Sequence, residues 1–538
     1  MYLKGKEALI IDDLPGMRSS MRATLSSLGI ESCDQTGTAR EAVEKMRAKF
    51  YDIVVCDYYL GDATDGQQIL EMVRRNRIIS HKTLFIIVTA ERTQDRVVSA
   101  ADFLPDDYLV KPFTAETLGK RALSLLEKME YFQDVYAALD DDKHDRAINR
   151  LEPLCANKNK YWIDAVRLMG GSLVQMERYA DAITVFEEIL KLKEIPWAVM
   201  GKVKGLKGLG KVAEARQLLS ALLQQHTEYL AGYDMLATLC AEAGDAEEAQ
   251  KQVEKALAIV PAMHRQKRAG KLALESGDID KAQKYLSEVV ERGKYSFFKD
   301  PEDYTLLSHV HMEKGDTEQA RSVLDMVGKR FAATPEIKAK VQVFKAMSWQ
   351  KEGKPEQAKA LLEPLLANPD DLPESVRMDL IKTCFLAGDN EVAAKLLSDM
   401  LQNNHDNMEL RKEAVQMLES VGMGDQAEAL VGVAIQEVIA LNNSGALLLR
   451  DGQLEEAARL LMEAADKLPR NATIVLNAAY ALLLNLQKSG ATEEELAKLD
   501  RYIERVAQSP NPPNPPKGLP KVQAMRQQLK AGGAHDGD

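Results

Sequence analysis

Cysteine is scarce in this sequence, and its spacing suggests neither a disulfide framework nor a metal site. The 538 residues include five cysteines and no C-x-x-C pair. Cysteines this far apart predict reduced and mostly buried thiols, as in a cytosolic protein. The eight histidines also lack the spacing of metal ligands, since His309 and His311, two residues apart, would point to different sides of a helix.

Long apolar runs and an excess of basic residues are missing as well. No run approaches the roughly 20 apolar residues that cross a bilayer, and the opening MYLKGKEALIIDD leads into a strand pattern without a signal-peptide core. With 70 Lys and Arg against 82 Asp and Glu, the formal charge is −12, which argues against nucleic acid or an anionic membrane as the main partner. We expect a soluble, cytoplasmic protein of several domains or repeats.

One short pattern recurs along most of the chain, as in AGDAEEA at 243–249. A glycine stands five residues before an alanine in eight places, and extending the alignment gives ten alanines spaced 30 to 38 residues apart. The alanines are Ala147, Ala182, Ala215, Ala249, Ala282, Ala320, Ala358, Ala393, Ala427 and Ala457. The residue four positions after each alanine is apolar, and a small residue precedes most of them by twelve. Two helices that cross closely need this alternation of small and large side chains.

The glycine stands where the first helix of each unit must stop, and the Asp that follows it in four copies can cap the second helix. Asp142 and Glu177 replace the glycine in the first two copies, so we expect irregular turns there. The pattern resembles the tetratricopeptide repeat, a helix-turn-helix unit of about 34 residues. The resemblance implies an all-α superhelix of about ten repeats over residues 128–472. The residues that follow predict a closing helix pair over 473–509, and then a proline-rich stretch with a flexible tail over 510–538.

The resemblance also places an inner groove that binds a protein or peptide partner. Its groove positions fall on basic residues, namely Arg167, Lys204, Lys207, Lys267, Lys271, Lys382 and Lys412. This positive bias favours an acidic partner segment, and the alternative is that these are ordinary solvated lysines.

Residues 1–127 follow a different pattern, in which the apolar runs ALII, IESC, DIVVC, TLFIIV and DYLV alternate with amphipathic segments. Five strands alternating with helices predict a doubly wound five-stranded parallel sheet, whose strands place polar residues at one edge. The strand ends carry Asp12, Asp13, Asp57, Thr89 and Lys111. Three carboxylates, a lysine and a hydroxyl predict a site for a hard cation beside an anionic ligand. A nucleotide site is the alternative, but no glycine-rich loop follows the first strand.

The pieces IIDD, VVCD, VTA and YLVKPF, in this order, resemble the receiver domain of two-component response regulators over residues 4–127. The resemblance implies a flavodoxin-like fold in which Asp57 accepts a phosphoryl group from a sensor histidine kinase, a phosphotransfer protein or a small donor. It implies Mg²⁺ held by Asp12, Asp13, Asp57 and the backbone carbonyl of Tyr59. Thr89 and Lys111 would bind phosphoryl oxygens, and the Lys111–Pro112 bond would be cis.

The resemblance further implies that Thr89 and Tyr108 act as a switch, read out on a surface formed by a fourth helix at about 93–101, the fifth strand and the fifth helix. From Thr114 onward the helical pattern runs without proline into the first repeat. We therefore expect the last receiver helix to continue into, or abut, that repeat, with a flexible hinge as the alternative.

These features predict an adaptor that is phosphorylated on Asp57 and binds a partner protein through its repeats. No DNA-binding, kinase, phosphatase or cyclic-nucleotide enzyme motif is recognisable, so the only expected catalysis is self-catalysed phosphoryl transfer to Asp57 and hydrolysis from it. One alternative is a constitutive scaffold whose receiver only docks a kinase or acts as a phosphate sink. Another is an enzyme with its site in the repeats, for which no clustered acids, histidines or nucleophile are found.

Overall fold

The structure is a computed structural model that describes residues 3–60, 65–89, 105–294, 299–508 and 518–532. The helix expected at 93–101, most of the proline-rich stretch and the polar tail lie outside these residues, so helices are numbered over the described part. Residues 1–314 and 315–538 form two compact units.

The N-terminal part contains the predicted parallel sheet. Its strands are β1 Glu7–Ile11, β2 Ser32–Thr36, β3 Ile53–Asp57, β4 Leu84–Thr89 and β5 Asp107–Val110. They pair in the order β2-β1-β3-β4-β5, and every pairing is parallel, which confirms the doubly wound fold. The expected second strand, IESC, is displaced in the structure. Strand β2 is an edge strand that pairs with β1 alone, and it consists of the polar run SCDQT. Backbone pairing to β1 holds this strand in place.

Helices cover both faces of the sheet. They are α1 Pro15–Ser27, α2 Ala39–Ala48, α3 Gly66–Arg75 and α4 Ala115–Tyr131. Alternate residues of the central strands enter two separate cores: Val54 and Ile87 pack with α2 and α3, while Val55 and Val88 pack with α1 and α4. Strands that are apolar on both faces are typical of a parallel sheet covered on each side.

Most of the remaining described helices pack against their neighbours along the chain. The first unit continues with α5 Gln133–Asp140, α6 His144–Ala156, α7 Trp162–Gln175, α8 Tyr179–Leu190, α9 Pro196–Gly208, α10 Val212–Gln225, α11 Leu230–Glu242, α12 Ala246–Ile259, α13 Met263–Glu275, α14 Ile279–Gly293 and α15 Pro301–Glu313. The second unit contains α16 Thr317–Arg330, α17 Pro335–Lys351, α18 Pro355–Ala367, a 3₁₀ turn at Pro369–Asp371, α19 Glu374–Ala387, α20 Asn390–Asn403, α21 Met408–Ser420, α22 Gly424–Arg450, α23 Leu454–Lys467, α24 Ala472–Ser489, α25 Glu493–Ala507 and α26 Leu519–Gly532.

The junction between the sheet domain and the first repeat contains no linker. Helix α4 ends at Tyr131, and α5 begins two residues later at Gln133. The residue between them, Phe132, is fully buried. The prediction that the last receiver helix abuts the first repeat is confirmed.

The repeat pattern corresponds to the packing that it predicts. All ten recurring alanines are at most 2% exposed. The small residues face the apolar residue sixteen positions later, so that a Cβ at Gly170 would lie 2.3 Å from Phe186 and one at Gly445 would lie 2.5 Å from Leu461. The helices therefore approach each other closely at these positions.

The turns inside the repeats share one backbone conformation. The eight glycines have φ between 73° and 84°. Asp142 and Glu177 have φ of 59° and 58°, so the expectation of irregular turns in the first two repeats is wrong: these residues adopt the left-handed conformation without being glycine. Of the four aspartates that follow a glycine, three accept a hydrogen bond from the second helix, and Asp389 does not.

A left-handed glutamate is strained, which leads to a stability prediction. Glu177→Gly is expected to stabilise the first unit by about 0.5 to 1 kcal/mol, because an L-residue with positive φ costs more than the extra freedom of a glycine. Amide hydrogen exchange of α7 and α8 in the full chain should slow about two- to fivefold. Glu214→Gly, an exposed glutamate in the first turn of α10, is the matched control and should speed exchange locally. Faster exchange in Glu177→Gly would contradict the prediction.

Helix α22 is a fusion of two repeat helices. It runs for 27 residues through both Ala427, in the second helix of one repeat, and Gly445, in the first helix of the next. The spacing from Ala427 to Ala457 is the shortest, 30 residues, which leaves no room for a turn. By length and composition alone, α22 is the one helix in the described part of the chain that could cross a membrane, and 28% of its most apolar window is buried. A core helix meets the same criterion.

Candidate functional site

Four of the predicted site residues meet at the carboxyl ends of the strands. Asp57 is the last residue of β3, and Asp12 and Asp13 follow β1. Oxygen atoms of the three carboxylates lie within 4.8 Å of one another. Nζ of Lys111, just after β5, lies 2.8 Å from Oδ2 of Asp57 and 3.3 Å from Oδ2 of Asp12. Thr89 ends β4 and is buried.

Backbone contacts hold the ends of the strands in register around this cluster. The amide of Lys111 donates to the carbonyl of Thr89 at 2.8 Å, and the amide of Tyr58 donates to Val88 at 2.8 Å. The Lys111–Pro112 bond is cis, as predicted. Helix α3 begins so close to β3 that a Cβ at Gly66 would lie 2.5 Å from the Asp57 carbonyl oxygen. Only glycine fits there without movement of Asp57.

Sequence reasoning missed Arg18, which holds the loop that carries the two aspartates. Its Nη1 donates to the backbone carbonyls of Asp12 at 2.6 Å and Asp13 at 3.1 Å. A Cβ at Gly37 would lie 2.9 Å from the same nitrogen, so this glycine leaves space for the guanidinium. Because both acceptors are backbone carbonyl oxygens, these contacts do not depend on which side chains stand at the two positions. The only signal in the sequence was an arginine in the first turns of the helix that follows IIDD.

Burial and Lys111 act in opposite directions on the pKa of the Asp57 carboxyl group. Burial raises the pKa of Asp57, and the hydrogen bond from Lys111 opposes this shift. Burial disfavours the charged form of Lys111, but the hydrogen bonds and negative charges of Asp57 and Asp12 together outweigh it, so the pKa of Lys111 is raised. The lysine therefore stays positive beside a carboxylate whose charge it compensates.

The predicted switch residue Tyr108 points into the protein. It is buried on β5, and its hydroxyl donates to Oε1 of Gln67 on α3 at 3.1 Å. Burial also raises the pKa of Tyr108. Its backbone carbonyl accepts a 2.8 Å hydrogen bond from Arg121 on α4, and Arg121 also pairs with Asp107 at 3.1 Å. Tyr108 is thus linked to α3 by its side chain and to α4 by its backbone.

The acidic cluster fits a hard divalent cation. Its donors are all carboxylate oxygens, which Mg²⁺ prefers to nitrogen or sulfur. Tyr59, whose carbonyl is the further predicted ligand, follows β3 and forms an isolated bridge with Asp65. Asp12, Asp13 and Asp57, with that carbonyl, are the residues that would hold the ion.

Some of the basic residues assigned to the repeat groove, namely Lys207, Lys267 and Lys271, pair with carboxylates of the same chain. Arg167 and Lys204 are exposed. Lys207 pairs with Glu242 at 2.6 Å. Lys267 contacts three carboxylates of the next repeat at 2.7 to 2.8 Å, and Lys271 shares one of them at 2.6 Å. Less positive charge is therefore available to an acidic partner than the sequence suggested.

Comparison with protein families agrees with both parts of the fold. Residues 8–123 match the family described as "Response regulator receiver domain", and residues 443–510 match "Tetratricopeptide repeat". The chain therefore has a response regulator receiver domain at its N-terminal end and a tetratricopeptide repeat region toward its C-terminal end. The second match includes α24 and α25, which the sequence interpretation had set apart as a closing pair.

Individual proteins show the same two similarities. "Chemotaxis protein CheY-3" of Vibrio cholerae is 27% identical over 126 residues, which is 23% of this chain and 95% of that protein. "Chemotaxis protein CheY" of Pseudomonas aeruginosa is 29% identical over 121 residues, 22% of this chain and 96% of that protein. A tetratricopeptide repeat protein from Parabacteroides merdae has a TM-score of 0.34 at 13% identity, covering 48% of this chain and 98% of its own.

Proposed function

We propose that this chain is a two-component response regulator in which phosphorylation of Asp57 controls the binding of a partner protein by the repeats. The observation that carries the proposal is the cluster in which Lys111 Nζ lies 2.8 Å from the Asp57 carboxylate, with Asp12 and Asp13 beside it. A lysine and a divalent cation are the charges that a carboxylate nucleophile needs in order to accept a phosphoryl group.

In the proposed reaction, a carboxylate oxygen of Asp57 attacks the phosphorus of a phosphohistidine. An O–P bond forms and the P–N bond breaks, and the electron pair remains on the imidazole nitrogen. A bound Mg²⁺ would supply positive charge that offsets repulsion between the carboxylates and the phosphoryl group. Lys111 would hold one phosphoryl oxygen, and the Thr89 hydroxyl would donate a hydrogen bond to another.

The signal would then pass through β5 and α4 to the first repeat. Arg121 on α4 binds the carbonyl of Tyr108, and α4 abuts α5 without a linker. The repeats also contact the receiver at the amino ends of the strands, where Asp140 accepts hydrogen bonds from Ser80 and His81 at 2.5 to 2.8 Å. This contact lies at the amino ends of the strands, whereas Asp57 lies at their carboxyl ends, so the contact leaves the phosphorylation site free for a donor.

Intact mass after incubation with acetyl phosphate tests the reaction. We expect one added phosphoryl group in the presence of Mg²⁺ and none after chelation, because the acidic cluster alone repels the donor. Asp57→Asn should accept none, whereas Asp34→Asn, a carboxylate on edge strand β2, should behave as wild type. Equal incorporation in Asp57→Asn would reject the proposed nucleophile. If a partner is recovered equally with phosphorylated protein and with Asp57→Asn, the repeats are a constitutive scaffold.

A further inference from the structure

The second unit contains a cavity of 710 Å³ between the start of α19, the end of α20, the start of α24 and the end of α25. This volume is within the range of small-molecule sites in proteins. Two hydrogen bonds hold one wall of the cavity together. The amide of Arg470 donates to Asn403 at 3.2 Å, and the side chain of Asn471 donates to the carbonyl of Gln402 at 2.6 Å. These bonds join segments almost 70 residues apart.

The cavity has more positive than negative charge. Arg377, Arg470 and Arg505 line it, against Asp370 and Glu374. Two of the guanidinium groups share one carboxylate oxygen, Oδ1 of Asp370, at 3.7 Å and 3.0 Å. That carboxylate is 69% exposed, so it competes weakly with a bound anion.

Arg377 is the residue that points to a ligand. Its side chain is 16% exposed, and its Nε is buried without a hydrogen-bond partner within the described ranges. A buried guanidinium nitrogen that lacks an acceptor is costly, and a bound oxyanion would satisfy it. The N-terminal ends of α19 and α24 also line the cavity and favour negative charge there.

We propose that this cavity binds a small organic molecule that carries a phosphate or carboxylate group. The oxyanion would bind between Arg377 and Arg470, whose planar forks match both groups. The apolar part of the ligand would lie against Leu372, Val475 and Val506, which line the same cavity. The proposal is independent of phosphorylation at Asp57, because every residue named belongs to the second unit.

Calorimetric titration of the full chain tests the site, with inorganic phosphate and malonate as separate probes. Both are compared with NaCl at equal ionic strength, in buffer without divalent cations so that the receiver site is not loaded. Binding of phosphate alone would assign the phosphate class, and binding of malonate alone would assign the carboxylate class. We expect dissociation constants on the order of 1 mM for such small ions. Heats no larger than those of NaCl for both probes would overturn the proposal.

Variants of the cavity residues are expected to change the affinity for the anion in opposite directions. Arg377→Gln or, if that variant fails to fold, Arg470→Gln should weaken binding by about tenfold or more, because a charged hydrogen bond is lost. Asp370→Asn should strengthen binding about threefold or more, since it removes the competing carboxylate. Arg501→Gln, an exposed arginine of α25 outside the cavity, should change nothing. If Arg501→Gln weakens binding as much as the cavity variants, the anion binds only adventitiously.

Discussion

Asp234→Ala is expected to destabilise the first unit by about 3 kcal/mol, because it removes the carboxylate that pairs with a buried arginine. Arg265 on α13 is 1% exposed, and its Nη2 lies 2.8 Å from Oδ2 of Asp234 on α11. Its Nε donates to both oxygens of the same carboxylate at 3.1 Å. Amide exchange in α11 to α13 of the full chain should accelerate roughly 100-fold, which corresponds to this loss of free energy.

Two controls separate the buried pair from ordinary surface charge. Asp181→Ala removes an exposed pair with Arg178, so exchange there should change by less than about threefold. A double variant, Asp234→Leu with Arg265→Met, should recover most of the loss, because two apolar side chains leave no charge unpaired. If Asp234→Ala behaves like Asp181→Ala, Arg265 does not depend on its partner and the interpretation is wrong.

The features that the sequence predicted best are those that side-chain periodicity encodes. The ten alanines and their apolar partners are buried because a fixed spacing puts them on the contact face of each repeat. The acidic residues and Lys111 meet because parallel strands end at one edge of a sheet. In both cases residue type and position along the chain determine the arrangement.

The features that were missed depend on the backbone or on pairing between distant residues. Arg18 binds carbonyl oxygens, and no side-chain pattern records such contacts. Glu177 adopts a conformation that its residue type disfavours, since the packed helices on either side impose the turn. Lys267 looked available to a ligand, but its partners Asp300, Glu302 and Asp303 lie more than 30 residues away in the next repeat.

Phe132→Ala is expected to loosen the junction between the receiver and the first repeat. Phe132 is fully buried. The centroid of its ring lies 5.0 Å from the ring centroid of Tyr131, 6.0 Å from that of Tyr136 and 6.1 Å from that of Tyr161. Removal of a buried phenyl ring costs about 3 to 5 kcal/mol. Exchange of the α5 amides should therefore accelerate at least 100-fold. Phe132→Leu keeps most of the apolar volume and should have a much smaller effect.

The same variant tests whether the junction transmits the signal. Phosphoryl incorporation at Asp57 should stay at the wild-type level in Phe132→Ala, because the ring belongs to the core of the repeats and not to the acidic cluster. In wild type, phosphorylation should change the exchange of α5 and α6, since α4 abuts α5 and Arg121 ties α4 to Tyr108. In Phe132→Ala that response should be lost. An unchanged response would mean that the signal bypasses Phe132 and leaves the receiver by another surface.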